Sequence, residues 1–333
     1  MSSQLAYALG RLDQTLADKN ADFSRKLLAI IFHADPDFSI RSLAGLTKNE
    51  KLSIRWRSRV HILLSALLLT KGDLAAATSQ IRQVSFKQEM DQPDQWQPFY
   101  TSTGNYLVQL YRLIETLPTA NPGARIDSAI LGDSHVLGMA AVSAKSIEKI
   151  YLPTVTFRLL ASPQDNALKV AFRNAAALTY RLDALAFSVG EIDSRGFVQF
   201  IKKDNDFWNK RKDHWRDTVA AAYSFIGSLR HPLQEYVVII PPMPSEKIVN
   251  AAFTNEEHGQ AQRQLVLKAV EELRDICRHE AQEQRLKSIE YSEDILSADG
   301  LCQTEKLLDH AHFTPDIYSS LVNSFTKAKF PNF

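Results

Sequence analysis

Three polar side chains in this sequence have the types and the order that nucleophilic chemistry needs. Ser134 closes the apolar run "AILGD", and Asp309 and His312 lie far downstream in "LLDHAHFTPDIY". A serine hydroxyl is a weak nucleophile at neutral pH. It needs a base within hydrogen-bond reach, and the base needs an acceptor that orients it. The Asp-x-x-His spacing lets the Asp309 carboxylate hold one imidazole nitrogen of His312 while the other faces the serine. His310 falls on the opposite side of an extended loop, so His312 is the expected base. Two plainer readings stand beside this one. A Gly-Asp-Ser turn also closes many strands with no catalytic part. Asp309, His310 and His312 could instead hold a metal ion, although no further strong ligand is evident. Neither a metal nor a cofactor is therefore expected.

Elements must position these groups, and the periodicity changes along the chain. Residues 1 to about 118 read as helix throughout. Leu5, Leu9, Leu12 and Leu16 recur at helical spacing, and so do the apolar residues of 27–31, 60–81 and 106–117. Within "ALLLTKGDLAAATSQI", Gly72 marks a tight turn, Asp73 is a candidate helix cap, and Ala75 to Ala77 suit a close helix contact. The phrase resembles one tetratricopeptide-type hairpin, but no second copy follows at the expected period. An irregular bundle is the alternative. "PTANPGARID", 118–127, carries two prolines and a glycine and is the expected domain boundary. The sequence thus divides into a helical domain over 1–120 and a second domain over 124–333.

Beyond the boundary, short apolar runs alternate with helical stretches. "SAILGD", "EKIYLPTV", "LDALAFSVG", "EYVVIIPPMP" and "LKSIEYSED" read as strands. Helices are expected near 135–144, 165–179, 213–229, 258–284 and 315–325. Such alternation predicts an α/β domain with a parallel sheet between helices. In open parallel sheets, sites form beyond the carboxyl ends of the strands. Polar groups gather at such ends after Gly132, after Gly190 and in the loop before the last helix. Asp193 and Arg195 are read either as site residues or as a strand-end ion pair. Glu191 is expected to be structural or to face substrate, and His135 to line the pocket or face solvent. "KKDNDFWNKRKDHWRD", 202–217, is read as a solvated helix face, with a substrate-binding lid as the alternative.

Bulk composition narrows the function classes. The chain has 333 residues with 39 Lys plus Arg against 38 Asp plus Glu, which gives no electrostatic case for a nucleic-acid partner. Its two cysteines, Cys277 and Cys302, match no zinc spacing. The start of the sequence lacks a basic segment followed by an apolar core, and "VHILLSALLL" is far short of the roughly 20 residues of a membrane span. A cytoplasmic location without a membrane span is expected.

Taken together, "ILGDSHVLG", "FSVGEIDSR" and "LDHAHFTPDIY" resemble the first, third and last conserved blocks of the SGNH or GDSL hydrolases, in the right order. The resemblance covers about 124–328. It implies a flavodoxin-like three-layer α/β/α sandwich. It also implies Ser134 as nucleophile, His312 as base and Asp309 as its orienting carboxylate, with Asp133, His135, Gly190, Asp193 and Arg195 as candidate oxyanion or substrate-binding residues. Members of the family are esterases, lipases, carbohydrate O-acetylesterases and some acyltransferases, so the implied substrate is an O-acyl ester, expected on a carbohydrate. This chain departs from the pattern twice. "LPTVTFRLLASPQDNA" has no glycine for the second block, and Ile192 stands where the third block usually has an asparagine. The form "GEIDSR" looks like a subgroup associated with bacterial polysaccharide and capsule loci. There Arg195 would act as a substitute electrostatic donor or grip an anionic substrate. The contrasting expectation is a non-catalytic SGNH-like scaffold whose helical domain recruits a protein partner.

Overall fold

The computed structural model describes residues 36–48, 54–84, 127–142, 147–152, 155–253, 257–309 and 311–329. The expected helices before residue 36 and over 106–117, the boundary at 118–126, and His310 lie outside these residues.

Five short strands form one parallel sheet. They are β1 (Ser128–Gly132), β2 (Ile147–Tyr151), β3 (Ala184–Ser188), β4 (Glu235–Ile239) and β5 (Lys287–Ile289). Their order is β2-β1-β3-β4-β5, and every neighbouring pair is parallel. This is the flavodoxin-like arrangement, in which the order reverses between β1 and β3 and leaves a crevice there. All residues of β1 and β3 are buried, which explains their unbroken apolar runs: both faces of the sheet are covered.

The covering helices follow from the crossovers. On one side, α4 (His135–Val142), which follows β1, packs against α11 (Pro315–Lys329), which follows β5. A second group joins α5 (Phe157–Ala161), α7 (Glu191–Lys203), α8 (Phe207–Ser228) and α10 (Glu257–Glu283). Between them in sequence lie α6 (Ala167–Leu178) and α9 (Glu246–Ala252), capped by the side chains of Asn166 and Ser245.

The described part of the N-terminal region is helical: α1 (Pro36–Thr47), α2 (Ile54–Thr70) and α3 (Leu74–Ile81). The α2–α3 hairpin follows its sequence at the turn, but of the three alanines expected at a close contact Ala75 is exposed and Ala76 half-buried. Gly72 has φ +77° at the turn, and the Asp73 carboxylate accepts the Ala76 amide. Ala77 is fully buried, and the Ser65 hydroxyl donates to its carbonyl at 2.7 Å. α2 also packs against α4 and the edge strand β2, and Lys71 pairs with Glu148 at 2.8 Å.

Two expectations need correction. Residues 190–195, read as polar groups at a strand end, open a helix: α7 starts directly after Gly190 and continues to Lys203. Its buried face includes Glu191, Asp193 and Ser194, and periodicity counts such residues as solvent-facing. The two tryptophans of 202–217 lie off the solvated face of that stretch. Trp208 and Trp215 are buried against Phe197, and the Trp208 indole donates to Glu272 at 2.7 Å. Most of the remaining residues of that stretch, Asn205, Asn209 and His214 among them, are exposed.

Candidate active site

Two strand-to-helix turns and one loop meet at the carboxyl end of the sheet. The first turn links β1 to α4 through Asp133 and Ser134. Gly132 is required there because a Cβ would collide with the Ser188 carbonyl on β3. The Asp133 carboxylate accepts the His135 amide at 3.1 Å, which closes the turn and leaves the Ser134 side chain outward.

The loop before α11 brings up the other two groups. The Asp309 carboxylate accepts the backbone amides of Ala311 at 2.7 Å and His312 at 2.8 Å, so the loop curls around it. Asp309 Oδ2 lies 2.8 Å from His312 Nδ1, and His312 Nε2 lies 2.7 Å from Ser134 Oγ. An ionised carboxylate can only accept, so Nδ1 carries the proton and Nε2 accepts from the serine hydroxyl. Burial alone would raise the Asp309 pKa, but His312 and the two amides outweigh it and hold the carboxyl well below the usual range. For His312, burial is the largest influence and lowers its pKa despite Asp309, so the ring is a neutral acceptor at pH 7.

The second turn links β3 to α7. Gly190 has φ +92°, in the left-handed region that favours glycine, and a Cβ there would overlap the Phe157 ring. Beyond it the side chains turn inward. Asp193 does not pair with Arg195. Its carboxylate accepts the Phe157 amide at 2.7 Å, and burial raises its pKa to about 7. Arg195 instead pairs with Glu191 at 3.0 Å. Both line a narrow cleft with Met243, Leu307, Ala311 and Phe313, beside the His312 loop.

His135 is fully buried and does not face solvent. Its Nδ1 lies 2.9 Å from the Tyr318 hydroxyl and 3.4 Å from that of Tyr291, and its ring centroid is 5.3 Å from that of His312. Sequence reasoning did not place either tyrosine. For Tyr318 a signal existed: it sits in the first turns of α11, a few residues past His312. Tyr291 follows a strand of only three residues and gave none.

No protein-family model matches this chain, and no curated protein does. Among solved structures, the fold is similar to that of an aryl esterase from M. smegmatis. The native form has 15% identity and a TM-score of 0.33, covering 60% of this chain and 96% of that one. The inhibitor-bound form has 14% identity, the same coverage and the same TM-score. A likeness this slight carries no weight for activity.

Among the described residues no group of three or more His, Cys, Asp or Glu side chains is placed to hold a metal ion. Both cysteines are buried and unpaired. No described helix is long and apolar enough to cross a membrane.

Proposed function

We propose that this chain is a serine-dependent ester hydrolase or acyltransferase of the SGNH type, acting on an O-acyl ester, with a carbohydrate as the acyl carrier. One observation supports the reading above all: the unbroken line from Ser134 Oγ through His312 to Asp309, with contacts of 2.7 and 2.8 Å. Its position at the crevice between β1 and β3, where such sheets place their ligands, adds to that support.

In this mechanism Ser134 Oγ attacks the ester carbonyl while His312 Nε2 takes the hydroxyl proton. The carbonyl π electrons move onto oxygen, and a tetrahedral oxyanion forms. Its collapse breaks the bond to the alcohol, which leaves with the proton returned by His312. Water or a second hydroxyl then attacks the acyl-serine, giving its proton to His312; the bond to Ser134 Oγ breaks, His312 returns the proton to that oxygen, and the acid or new ester leaves. Asp309 keeps the imidazole oriented and stabilises its charged form throughout. The oxyanion would rest on the Ser134 amide at the start of α4, with the Arg195 guanidinium as the candidate second donor. Ile192 offers no side-chain donor.

A non-catalytic scaffold is the second reading, and Ile192 is the residue that favours it. A missing oxyanion donor costs about 2.7–4 kcal/mol of transition-state stabilisation. Labelling with a fluorophosphonate probe separates the two. The serine-enzyme reading expects one label per chain on Ser134, lost in Ser134→Ala and strongly slowed in His312→Ala. An unlabelled, folded wild-type chain would favour the scaffold.

A further inference from the structure

A groove of about 670 Å³ opens between α5 and α8, on residues that the reaction above does not use. That volume lies within the roughly 300–1,000 Å³ of small-molecule sites. Its α8 wall includes Phe207, Arg211, His214 and Trp215, from the charged, tryptophan-bearing stretch that the serine chemistry leaves unexplained. The charges along that stretch mostly have partners. Lys210 pairs with Asp204 at 2.9 Å, Lys212 with Glu272 at 2.6 Å, and Arg216 with Asp213 at 3.1 Å. Arg211 differs: among the described residues it meets no carboxylate within ion-pair distance, and it lines the groove.

Arg158 enters the same groove from α5, and it too lacks a carboxylate partner among the described residues. Its guanidinium lies 4.8 Å from the centre of the Trp215 ring and 5.4 Å from that of Phe200. Stacking of this kind fixes where the charge sits without neutralising it. The rest of the lining narrows what the groove offers. The hydroxyls of Ser162 and Thr218 already donate to the carbonyls of Gln164 and His214, so their hydrogens are spent. The indole N–H of Trp215, enclosed beside Arg158, meets no acceptor among the described residues. The strong free donors are therefore the two guanidiniums. One acid, Asp217, lines the groove and opposes an anion.

Two arginines in one groove without a carboxylate between them repel each other, and folding gains nothing from leaving both unpaired. An oxyanion held there satisfies both, because each guanidinium fork matches a carboxylate or phosphate group with two parallel hydrogen bonds. We propose that this groove binds a small organic anion. Arg158 and Arg211 hold its phosphate or carboxylate group, and its carbon body lies along Phe207, Ala161 and Ala221. A polyanion such as nucleic acid fits less well, since the chain balances 39 basic residues against 38 acidic ones and Asp217 stands in the groove itself. No triad residue lines the groove, so this site stands whether or not Ser134 is a nucleophile.

Titration calorimetry on the full chain tests this, with phenyl phosphate and benzoate as probes and benzyl alcohol as the neutral control. One of the two anions should bind at one site per chain, which also tells phosphate from carboxylate, while benzyl alcohol should not bind. Affinity should fall about tenfold or more in Arg211→Gln and in Arg158→Gln. Asp217→Asn should tighten binding severalfold by removing the opposing charge. Arg211 is exposed, so its variant should keep the wild-type melting temperature, and it decides the matter if Arg158→Gln fails to fold. Failure of both anions to bind at about 10 mM overturns the proposal. So does equal affinity in wild type and Arg211→Gln, which would put the anion elsewhere on the chain. Inorganic phosphate binding as tightly as either organic anion would leave a bare ion site and overturn the assignment of an organic ligand.

Discussion

The two strand-to-helix turns that flank the crevice start from similar sequences and end differently. "GDSH" and "GEIDSR" each place a glycine, an acid and a serine at the carboxyl end of a buried strand. At the first turn the acid folds inward onto the backbone, and Ser134 is left within reach of His312. At the second turn the serine folds inward instead: the Ser194 hydroxyl donates to the Glu191 carbonyl at 2.8 Å. Its acids are committed to the protein as well, Asp193 to Phe157 and Glu191 to Arg195. A polar residue at a strand end is thus no sign of reactivity in itself. What matters is whether its hydrogen-bonding capacity is already satisfied inside the turn.

The sharpest way to break this contrast is to remove each serine. Ser134→Ala should lower the proposed esterase activity by roughly 10⁴-fold or more and leave the melting temperature nearly unchanged. Ser194→Ala should do the reverse, with activity kept and the thermal midpoint a few degrees lower. Equal activity losses would erase the distinction.

The glycines come next. Gly132→Ala meets the Ser188 carbonyl, and Gly190→Ala meets the Phe157 ring from a left-handed backbone. Each should cost about 2–4 kcal/mol in chemical denaturation. A smaller cost at Gly190 would mean that the second turn can relax.

Acid titration separates the turns more finely. Asp309 has a folded pKa below its unfolded value. Its contribution to stability is therefore full above about pH 4 and is lost as the pH falls further. Asp193 has the opposite sign. With its folded pKa raised to about 7, its contribution is full at low pH and declines as the pH rises from about 4 toward 7. In Asp193→Asn the amide oxygen can still accept from Phe157, so the variant should lack that decline. Denaturation at pH 4.5 and pH 7 checks it, and parallel curves for wild type and variant would refute it. The smallest effect is expected away from both turns. Lys71→Ala removes a partly exposed ion pair with Glu148, and should change stability by under about 1 kcal/mol and activity not at all.

Much of the fold was legible because burial on both faces leaves a plain mark. "SAILG" and "ALAFS" are continuous apolar runs, and each became a central strand. α7 was illegible for the opposite reason. Its first turn is charged and its middle holds Gly196, yet Glu191, Asp193 and Ser194 are buried because specific partners satisfy them. Pairing of that kind depends on residues distant in sequence, and no period reveals it. The approach of Ser134 and His312 could be anticipated because the chemistry of a serine and an Asp-x-x-His loop constrains who must meet whom. The surroundings of His135 could not be, since Tyr291, Tyr318 and Glu191 arrive from three separate elements.

The packing of α2 on α4 has a consequence for how this chain can change over generations. The helix that the hairpin leans on is the one that begins immediately after Ser134. A larger side chain in α2 that nudges α4 by a fraction of an ångström also shifts Ser134 against a contact of 2.7 Å. The hairpin and the Ser134 turn must therefore drift in step. A lineage that discarded the hairpin would have to re-cover α4 before it could keep the same alignment of Ser134 with His312.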